Sequence, residues 1–325
     1  MSAAAENHRP VIGIDLGGTK IRSVVTRTDG EILGEDVRPT DADDGKDAVI
    51  GRLIASAQAA VVASGLAASE IVAAGVTAPG TVDFDDGVLY QPPNLPGWDA
   101  VPLAKLLAGP LGCPVFLEND ANAAAYGEWQ HGAGMGLRHM IYLTISTGIG
   151  GGLILNGALF RGADGAAGEL GHMTVDVNGP EHNCGMVGCL EVMASGTAIA
   201  RLAQEAVDAG RSPALAQLAA ARGELTAAEV DDAAEAGDPA ANEILNRAAG
   251  YLGVGLASYI NIFNPEAIVI GGGVSRIGPR LLEPAFRIAK TRAFHLPSQR
   301  VTLTLAALEG RAEVLGVAAL ARNSV

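Results

Sequence analysis

The chain has 325 residues, a length that suits two domains of ordinary size. Hydrophobic residues make up 49% and aromatic residues only 4%, so a large interior has to be filled by aliphatic side chains. The net charge of −14 argues against a nucleic-acid surface, and we expect no nucleic-acid partner.

Membrane insertion is not expected either. Residues 1–10 contain no apolar core of a secretory signal, and no later run reaches the length of a membrane span without a glycine or a charge. We therefore expect a cytoplasmic protein without a membrane partner.

Short apolar runs separated by glycine turns open the chain. Residues 11–39 predict an antiparallel meander of three strands, and a helix follows near residues 48–64. Residues 71–80 and 113–119 are apolar runs that end in turn residues, which predicts two buried strands, each after a helix. The predicted order is therefore βββαβαβ.

The second half repeats the opening pattern from Met140 onwards. The elements predicted there are a strand, glycine turn and strand over residues 141–162, helices over 196–221 and 225–260, a strand, glycine turn and helix over 267–275, a strand over 300–308 and a helix over 312–321. Because no Pro-rich linker separates the halves, we expect a hinge near residues 121–139.

The first glycine turn, DLGGTK at residues 15–20, lies between two strands. A Rossmann fingerprint would lead into a helix, and no GxxxxGK[ST] motif is present, so neither common nucleotide motif is supported. A glycine hairpin can still bind phosphate through its backbone N–H groups, and Asp15 can orient a phosphate-bound Mg²⁺. An ordinary tight hairpin, in which Asp15 only accepts hydrogen bonds from turn amides, explains the same residues.

Two further glycine turns follow, at residues 146–152 and 271–275. Two glycine hairpins that face a cleft would hold a polyphosphate chain from both sides. The third turn is predicted to open a helix whose N-terminal amides suit a nucleotide. A routine strand-to-helix turn capped by Ser275 is the alternative.

A carboxylate follows the strand that ends at Asn119. Asp120 lies at the carboxyl end of that strand, where open α/β sheets bind ligands, and it can accept a proton from a hydroxyl nucleophile. Alternatively, Asp120 only caps the helix predicted over residues 121–130. Asn119 can provide the same cap, so both interpretations stay open.

Histidines and cysteines are concentrated in one loop. His172, His182, Cys184 and Cys189 form the pattern H-x9-H-x-C-x4-C, which is compatible with a tetrahedral zinc site. Glu169, His172 and Glu191 flank this loop and suit the hydroxyl groups of a sugar, although as isolated residues they can equally be surface groups.

Together these residues resemble the ROK family of sugar kinases and repressors, within the actin-like ATPase superfamily. The similarity covers nearly the whole chain and is carried by DLGGTK (15–20), APGTVD (78–83), PNLPGW (93–98), ENDANAAAYGE (118–128), the glycine-rich segment 145–172, CGxxGCLE (184–191), ASGTAIAR (194–201) and IGGGVS (270–275).

The resemblance implies a role for each matching residue. Asp120 would be the general base on the sugar 6-hydroxyl, and the other sugar-binding residues would be Gly80, Asn94, Asn119, Glu169, His172 and Glu191. ATP and Mg²⁺ would be held by Asp15, Gly17, Gly18, Thr19, Lys20, Thr147, Gly148, Gly272, Gly273 and Val274. A structural Zn²⁺ would be bound by His172, His182, Cys184 and Cys189. The family pattern CxCGxxGCxE has a cysteine where this chain has His182, so we predict that the metal is retained with altered geometry.

The implied fold is the two-domain α/β actin-like ATPase (ribonuclease H-like) fold of ROK type, with an interdomain cleft. A small domain would comprise residues 1–121 together with the C-terminal helix, residues 309–325. A large domain would comprise residues 122–308 and carry the zinc-binding loop 172–191.

The similarity is closest to bacterial ATP-dependent glucokinases. It implies transfer of the ATP γ-phosphoryl group to glucose by a homo-oligomer, a dimer or a tetramer. Mannose, fructose, allose, N-acetylmannosamine and N-acetylglucosamine are alternative substrates. A sugar-sensing transcriptional regulator is the alternative from another class, and we disfavour it because about ten residues before the first strand cannot supply a helix-turn-helix domain.

Overall fold

A computed structural model of the protein describes residues 9–325, and these form two compact units. The first unit contains the described residues as far as Leu137, together with Gly152–Gly168 and Ala306–Val325. The second unit contains Arg138–Gly151 and Glu169–Leu305. The predicted division at residues 121/122 differs from this one, because the helix that begins at Asp120 lies in the first unit. The C-terminal segment also belongs to the first unit.

The elements up to residue 137 follow the predicted βββαβαβ order, with one additional hairpin. They are β1 (Val11–Leu16), β2 (Lys20–Thr26), β3 (Ile32–Pro39), α1 (Lys46–Ser64), β4 (Ala73–Ala78), β5 (Thr81–Asp83), β6 (Val88–Tyr90), α2 (Leu103–Leu111), β7 (Val115–Asn119) and α3 (Asp120–His131), with 3-10 turns at Ala42–Asp44 and Ala68–Glu70. The small β5–β6 hairpin is not expected from the sequence.

The remaining elements include the repeated strand, turn and strand. They are β8 (Met140–Ile145), β9 (Ile149–Leu155), β10 (Ala158–Leu159), α4 (Leu190–Ala194), α5 (Gly196–Asp208), α6 (Pro213–Arg222), α7 (Ala227–Glu235), α8 (Pro239–Phe263), β11 (Ala267–Gly271), α9 (Pro279–Arg292), α10 (His295–Arg300), β12 (Thr302–Leu305) and α11 (Ala312–Asn323), with 3-10 helices at Leu170–His172 and Gly273–Ile277.

Two five-stranded sheets have corresponding strand orders. The first is β3-β2-β1-β4-β7 and the second is β10-β9-β8-β11-β12. In the first, β1 pairs with β2 antiparallel and with β4 parallel, and β4 pairs with β7 parallel. In the second, β8, β11 and β12 run parallel. The repeat that the sequence suggests is therefore a repeat of the sheet order.

The core of the first unit lies on both faces of its sheet. Ile12 and Ile14 of β1 pack in one cluster with residues of α1 and α2, among them Leu53 and Leu107. Alternate residues of β1 face the other side, where Val11 packs with residues of α11. A parallel sheet covered on both faces explains why β4 is buried along its whole length.

Among the described residues, α1 is the one helix that is long and apolar enough to span a membrane by length and composition alone. Its face that contains Val49, Leu53 and Ala57 is buried in the core of the first unit. This helix is therefore a core helix of the sheet.

Candidate active site and metal centre

The predicted residues of the first unit lie where its parallel strands end. Asp15 of β1 is paired with Thr77 of β4, and Ala78 of β4 is paired with Asn119 of β7. The carboxyl ends of these strands therefore meet at one edge of the sheet, which is where open α/β sheets bind ligands. The residues that follow the three strands at this edge are Gly17, Gly18, Thr19 and Lys20, then Gly80, and then Asp120.

The carbonyl groups of the turn between β1 and β2 accept hydrogen bonds from within the turn and from Thr40. The amide of Gly17 donates to the carbonyl of Lys20 at 3.0 Å, and Thr40 donates its amide to the carbonyl of Thr19 at 2.9 Å. The Thr40 hydroxyl also donates to the carbonyl of Gly17 at 2.7 Å. Gly18, Thr19 and Lys20 are exposed. The tip of the turn is therefore braced from behind and open to a ligand in front, and Thr40 is a supporting residue that the sequence pattern does not reveal.

Asp15 lies behind this turn as a buried carboxylate. The Thr77 hydroxyl donates to its Oδ1 at 3.0 Å. Burial raises the pKa of Asp15, and this effect outweighs the Thr77 hydrogen bond and the charges of Lys20 and Arg22, which lower the pKa. A nearby cation would stabilise the ionised form of this carboxylate, and the predicted role of Asp15 places it beside a phosphate-bound metal.

Glu313 is an acidic residue that sequence analysis missed. It lies in the first turn of α11, and its pKa is raised first by burial and then by the charges of Asp15 and Asp120. Two carboxylates from distant parts of the chain, Asp15 and Asp120, therefore lie close enough to Glu313 to raise its pKa in the first unit. No local pattern in the sequence signals this, because the three residues are brought together only by the fold.

Asn119 caps α3, as the sequence allows. Its Oδ1 accepts hydrogen bonds from the amides of Ala121 at 2.9 Å and Asn122 at 3.1 Å. Asp120 is the first residue of the helix, and its Oδ1 also accepts from the Ala121 amide at 2.8 Å. Asn119 therefore provides the cap, and the helix does not depend on Asp120 for one.

Glu118 supports this pair from the strand side. Its side chain is buried and forms an ion pair with Arg161, in which Nε at 2.7 Å and Nη2 at 2.6 Å both contact Oε2. Its other oxygen accepts hydrogen bonds from the amide of Asn119 at 3.1 Å and from the Asn122 side chain at 3.2 Å. Glu118 and Arg161 are therefore positioning residues beneath Asn119, and sequence analysis assigned neither of them a role.

Gly80 and Asn94 lie close to the other predicted residues of this unit. The side-chain amide of Asn119 donates to the carbonyl of Gly80 at 3.4 Å. A Cβ atom added to Gly18 would lie 3.2 Å from the Cβ of Asn94. Gly80 and Asn94 both have left-handed backbones, with φ of 96° and 65°. The structure thus places predicted sugar-binding residues beside the first glycine turn.

The glycine turn of the second unit is closed around a carboxylate. The amide of Ile149 donates to Oε2 of Glu191 at 2.6 Å. A Cβ atom on Gly148 would overlap the same carboxylate. A side chain at position 148 would therefore displace the Glu191 carboxylate, which the sequence pattern did not reveal.

The start of α5 is fixed to the same turn. The amides of Gly196 and Thr197 donate to the carbonyls of Ser146 at 2.8 Å and Thr147 at 3.3 Å. The Thr197 hydroxyl donates to the carbonyl of Thr147 at 2.8 Å. A Cβ atom on Gly196 would lie 2.6 Å from the Ser146 carbonyl oxygen, so only glycine allows this contact.

These segments line a cavity of about 720 Å³ in the second unit. Its walls are formed by Ser146, Thr147, Gly196, Thr197, Ala200, Arg201, Gln204, residues 223–228, Gly273 and Val274. This volume lies within the range of small-molecule and cofactor pockets. Three of the predicted nucleotide residues, Thr147, Gly273 and Val274, are among those that line it.

The third glycine turn does not lead directly into an α-helix. Gly273–Ile277 is a 3-10 helix, and α9 begins only at Pro279. Gly272 has φ of 83°, and a Cβ atom there would overlap the backbone of Ile145. A helix therefore begins at this turn as predicted, but it is a short 3-10 helix, and before it the chain passes against β8 in a conformation that suits glycine. Ser275 is not a cap, since its hydroxyl donates to the carbonyl of Gly272 at 2.7 Å.

The four predicted zinc ligands converge. One possible ligand atom from each of His172, His182, Cys184 and Cys189 lies within 4.8 Å of the others. Nδ1 of His182 is 3.0 Å from Sγ of Cys184 and 3.4 Å from Sγ of Cys189. Nδ1 of His172 is buried and has no hydrogen-bond partner. A buried nitrogen without a partner beside two thiols fits a metal that accepts nitrogen and sulfur ligands.

Each histidine of this cluster also faces a carboxylate. Nε2 of His172 lies 3.6 Å from Oε2 of Glu169, and Nε2 of His182 lies 3.3 Å from Oε1 of Glu191. The two rings stack, with centroids 5.9 Å apart and an interplanar angle of 27°. The residues predicted to bind sugar in this unit, Glu169, His172 and Glu191, are therefore in contact with the cluster.

Comparison with known proteins decides the family. The model of the ROK family matches residues 11–324. This chain belongs to the ROK family. A glucokinase of Thermotoga maritima is 42% identical over 274 residues, which cover 84% of this chain and 85% of the relative. A putative xylose repressor of Caldicellulosiruptor is 34% identical over 95% of this chain and 77% of its own length.

Solved structures of ROK proteins share this fold along nearly the whole chain. A ROK hexokinase from Thermus thermophilus is 38% identical, with a TM-score of 0.81 and coverage of 97% of this chain and 98% of that one. A ROK glucokinase from Streptomyces griseus, solved with glucose and AMPPNP, is 34% identical, with a TM-score of 0.80 and coverage of 97% and 99%. The fold of this ROK protein is therefore the actin-like ATPase fold.

Proposed function

We propose that this ROK protein is a glucokinase that transfers the γ-phosphoryl group of ATP to the 6-hydroxyl of glucose. The observation that supports this best is the position of Asp120, at the sheet edge that also carries the first glycine turn and Asp15. The glucokinases among its relatives and structural neighbours act as independent support.

Asp120 is the general base in this proposal. Phosphoryl transfer asks little covalent chemistry of a protein, so its main tasks are to align the hydroxyl with the phosphoryl group, to accept a proton and to exclude water. Because Asn119 caps α3, the carboxylate of Asp120 does not have to cap the helix and is suited to orient the 6-hydroxyl and take its proton. Glu118 and Arg161 fix the backbone on which both residues lie.

The other residues proposed to bind the sugar hydroxyls are Gly80, Asn94, Asn119, Glu169, His172 and Glu191. His172, His182, Cys184 and Cys189 hold a structural zinc ion, which cross-links the irregular loop 172–191. This ligand set is a proposal that the donor types and their spacing support.

The cavity of about 720 Å³ beside Thr147, Gly273 and Val274 takes the nucleoside. Each glycine turn offers backbone amides that suit phosphate groups. Asp15 and Lys20 lie at the first turn, where Asp15 orients the phosphate-bound Mg²⁺. Bound with ATP, Mg²⁺ would neutralise the charge of the phosphate groups.

Replacement of Asp120 tests the base directly. We expect Asp120→Ala to lower kcat by at least about 100-fold, because general-base catalysis contributes 10²–10⁴-fold, while the Kd of glucose changes little. Asp47→Ala is a matched control, since Asp47 is an exposed acidic residue in the first turn of another helix, α1. Turnover is measured with a coupled ADP assay and glucose binding by calorimetry. Turnover of Asp120→Ala near the level of Asp47→Ala would remove Asp120 from the base role.

A sugar-responsive repressor is the second candidate, because a relative named as a xylose repressor is 34% identical. The same turnover measurement separates the two functions, since a regulator binds its sugar without consuming ATP. Cytoplasmic location and assembly as a dimer or tetramer complete the proposal, and light scattering of the purified protein checks the assembly.

A further inference from the structure

His182 belongs to the metal cluster, and its two ring nitrogens face two different groups. Nδ1 lies 3.0 Å from Sγ of Cys184 and 3.4 Å from Sγ of Cys189. Nε2 lies 3.3 Å from Oε1 of Glu191. A cysteine here would offer one sulfur to the metal cluster and nothing to Glu191.

In this arrangement, the nitrogen of His182 that binds a metal decides which nitrogen carries the proton. A neutral imidazole has one nitrogen that accepts and one that carries a proton. When Nδ1 binds a metal, the proton is on Nε2, so Nε2–H donates towards the carboxylate beside it. The distance of 3.3 Å to Oε1 of Glu191 is just longer than the usual range of about 2.7–3.2 Å for such a hydrogen bond, so a small movement of the ring completes it.

Glu191 is held at its other oxygen as well. Oε2 accepts the hydrogen bond from the Ile149 amide at 2.6 Å, at the glycine turn of the second unit. The side chains of His182 and Glu191 are only 21% and 19% exposed, so both have little freedom to move away. A continuous path of contacts therefore runs from the cysteine cluster through His182 and Glu191 to the glycine turn.

We propose that His182 is a positioning residue with two tasks: its Nδ1 is a metal ligand, and its Nε2–H orients the Glu191 carboxylate. Metal binding thereby fixes a sugar-binding carboxylate and, through Ile149, the glycine turn. His172 and Glu169 form the corresponding pair on the neighbouring ring, at 3.6 Å. The proposal rests on the proposed roles of zinc and of Glu191 in glucose binding.

Substitution of His182 by cysteine separates the two tasks. We expect His182→Cys to retain one zinc ion per chain and to bind glucose about 10-fold more weakly, because it keeps a ligand and loses the donor to Glu191. We expect His182→Ala to lose zinc as well. Zinc is counted by plasma mass spectrometry, and glucose affinity is measured by calorimetry without nucleotide. His295→Cys is the matched control, since His295 is exposed at the start of α10, and it should leave both quantities unchanged.

A spectroscopic readout tests the geometry without sugar. With ¹⁵N-labelled histidine and zinc-loaded protein, we expect His182 to show a metal-bound Nδ1 and a protonated Nε2 whose resonance shifts in Glu191→Gln. A wild-type glucose affinity in His182→Cys, or a metal bound through Nε2, would overturn the proposal. If the zinc-loaded wild type bound no glucose, the proposed function would be contradicted instead. The ¹⁵N spectrum would still test whether Nδ1 of His182 binds the metal and Nε2 carries the proton.

Discussion

At the scale of single residues, the fold places two carboxylates, Asp15 and Glu313, in surroundings that disfavour their ionised forms. Asp15 has a raised pKa because burial outweighs its hydrogen bond with Thr77 and the charges of two basic residues. Glu313 has a raised pKa because it is buried and lies near two other acidic groups. Function-related sites commonly retain charges that cost stability. We infer that this edge of the first sheet is such a place.

The pKa of Glu313 makes a prediction about stability. Because the folded state raises this pKa above 4.5, ionisation of Glu313 costs stability at neutral pH, and stability is lost as pH rises through the raised pKa. We therefore expect Glu313→Gln to raise the Tm at pH 7. The gain should shrink as pH falls towards 4.5, where the carboxyl group is protonated in the folded state. Differential scanning calorimetry at several pH values measures this, and a lower Tm or a gain that does not depend on pH would count against it.

At the scale of elements, α11 lies unusually close to the strands and to α3. Cβ atoms on Gly13 and Gly75 would overlap the carbonyl groups of Val314 and Val317, and a Cβ on Gly316 would overlap the backbone of Ala123. The helix and the sheet therefore approach each other at backbone distance, which side chains larger than glycine exclude at these positions.

This packing predicts opposite effects for two glycine substitutions. We expect Gly75→Ala to destabilise the protein by about 3 kcal/mol, because the added methyl group has no space against α11. Gly51→Ala, in the middle of α1 where no atom lies within 4 Å of the added Cβ, should stabilise it by about 0.5–1 kcal/mol. Urea unfolding of both variants measures the difference. Equal effects of the two substitutions would contradict the close approach of α11.

Elements with a local signal could be predicted from the sequence. The meander, α1, the cap at Asn119 and the terminal helix were predicted because apolar periodicity and cap residues are read from neighbouring positions. The 3-10 form of the helix that follows Gly272 could not be predicted, because its backbone is decided by contact with β8 and not by the local pattern. The roles of Glu118, Arg161 and Glu313 were missed for the same reason: their partners are distant in the sequence.

At the scale of the whole molecule, the chain enters the first unit three times. The segment Gly152–Gly168 returns to it between two parts of the second unit, and Ala306–Val325 returns at the end. The sequence predicts a single boundary near residues 121–139 and a return of the C-terminal helix. The return at Gly152 could not be predicted, because the change of unit occurs inside β9 and the apolar pattern of the strand continues through it.

The proposed function assigns a task to each unit. The first provides Asp120, Asp15 and the first glycine turn, and the second provides the cavity, the second glycine turn and the metal cluster. The central claim of the account is that this protein transfers a phosphoryl group from ATP to glucose.

The most direct test is ³¹P NMR of the purified protein with ATP, Mg²⁺ and one sugar at a time: glucose, mannose, fructose, allose, N-acetylmannosamine or N-acetylglucosamine. We expect glucose 6-phosphate and ADP to form in equal amounts, and faster than any product of the other five sugars. Absence of a sugar phosphate ester, or phosphorylation of another sugar in preference to glucose, would contradict the account.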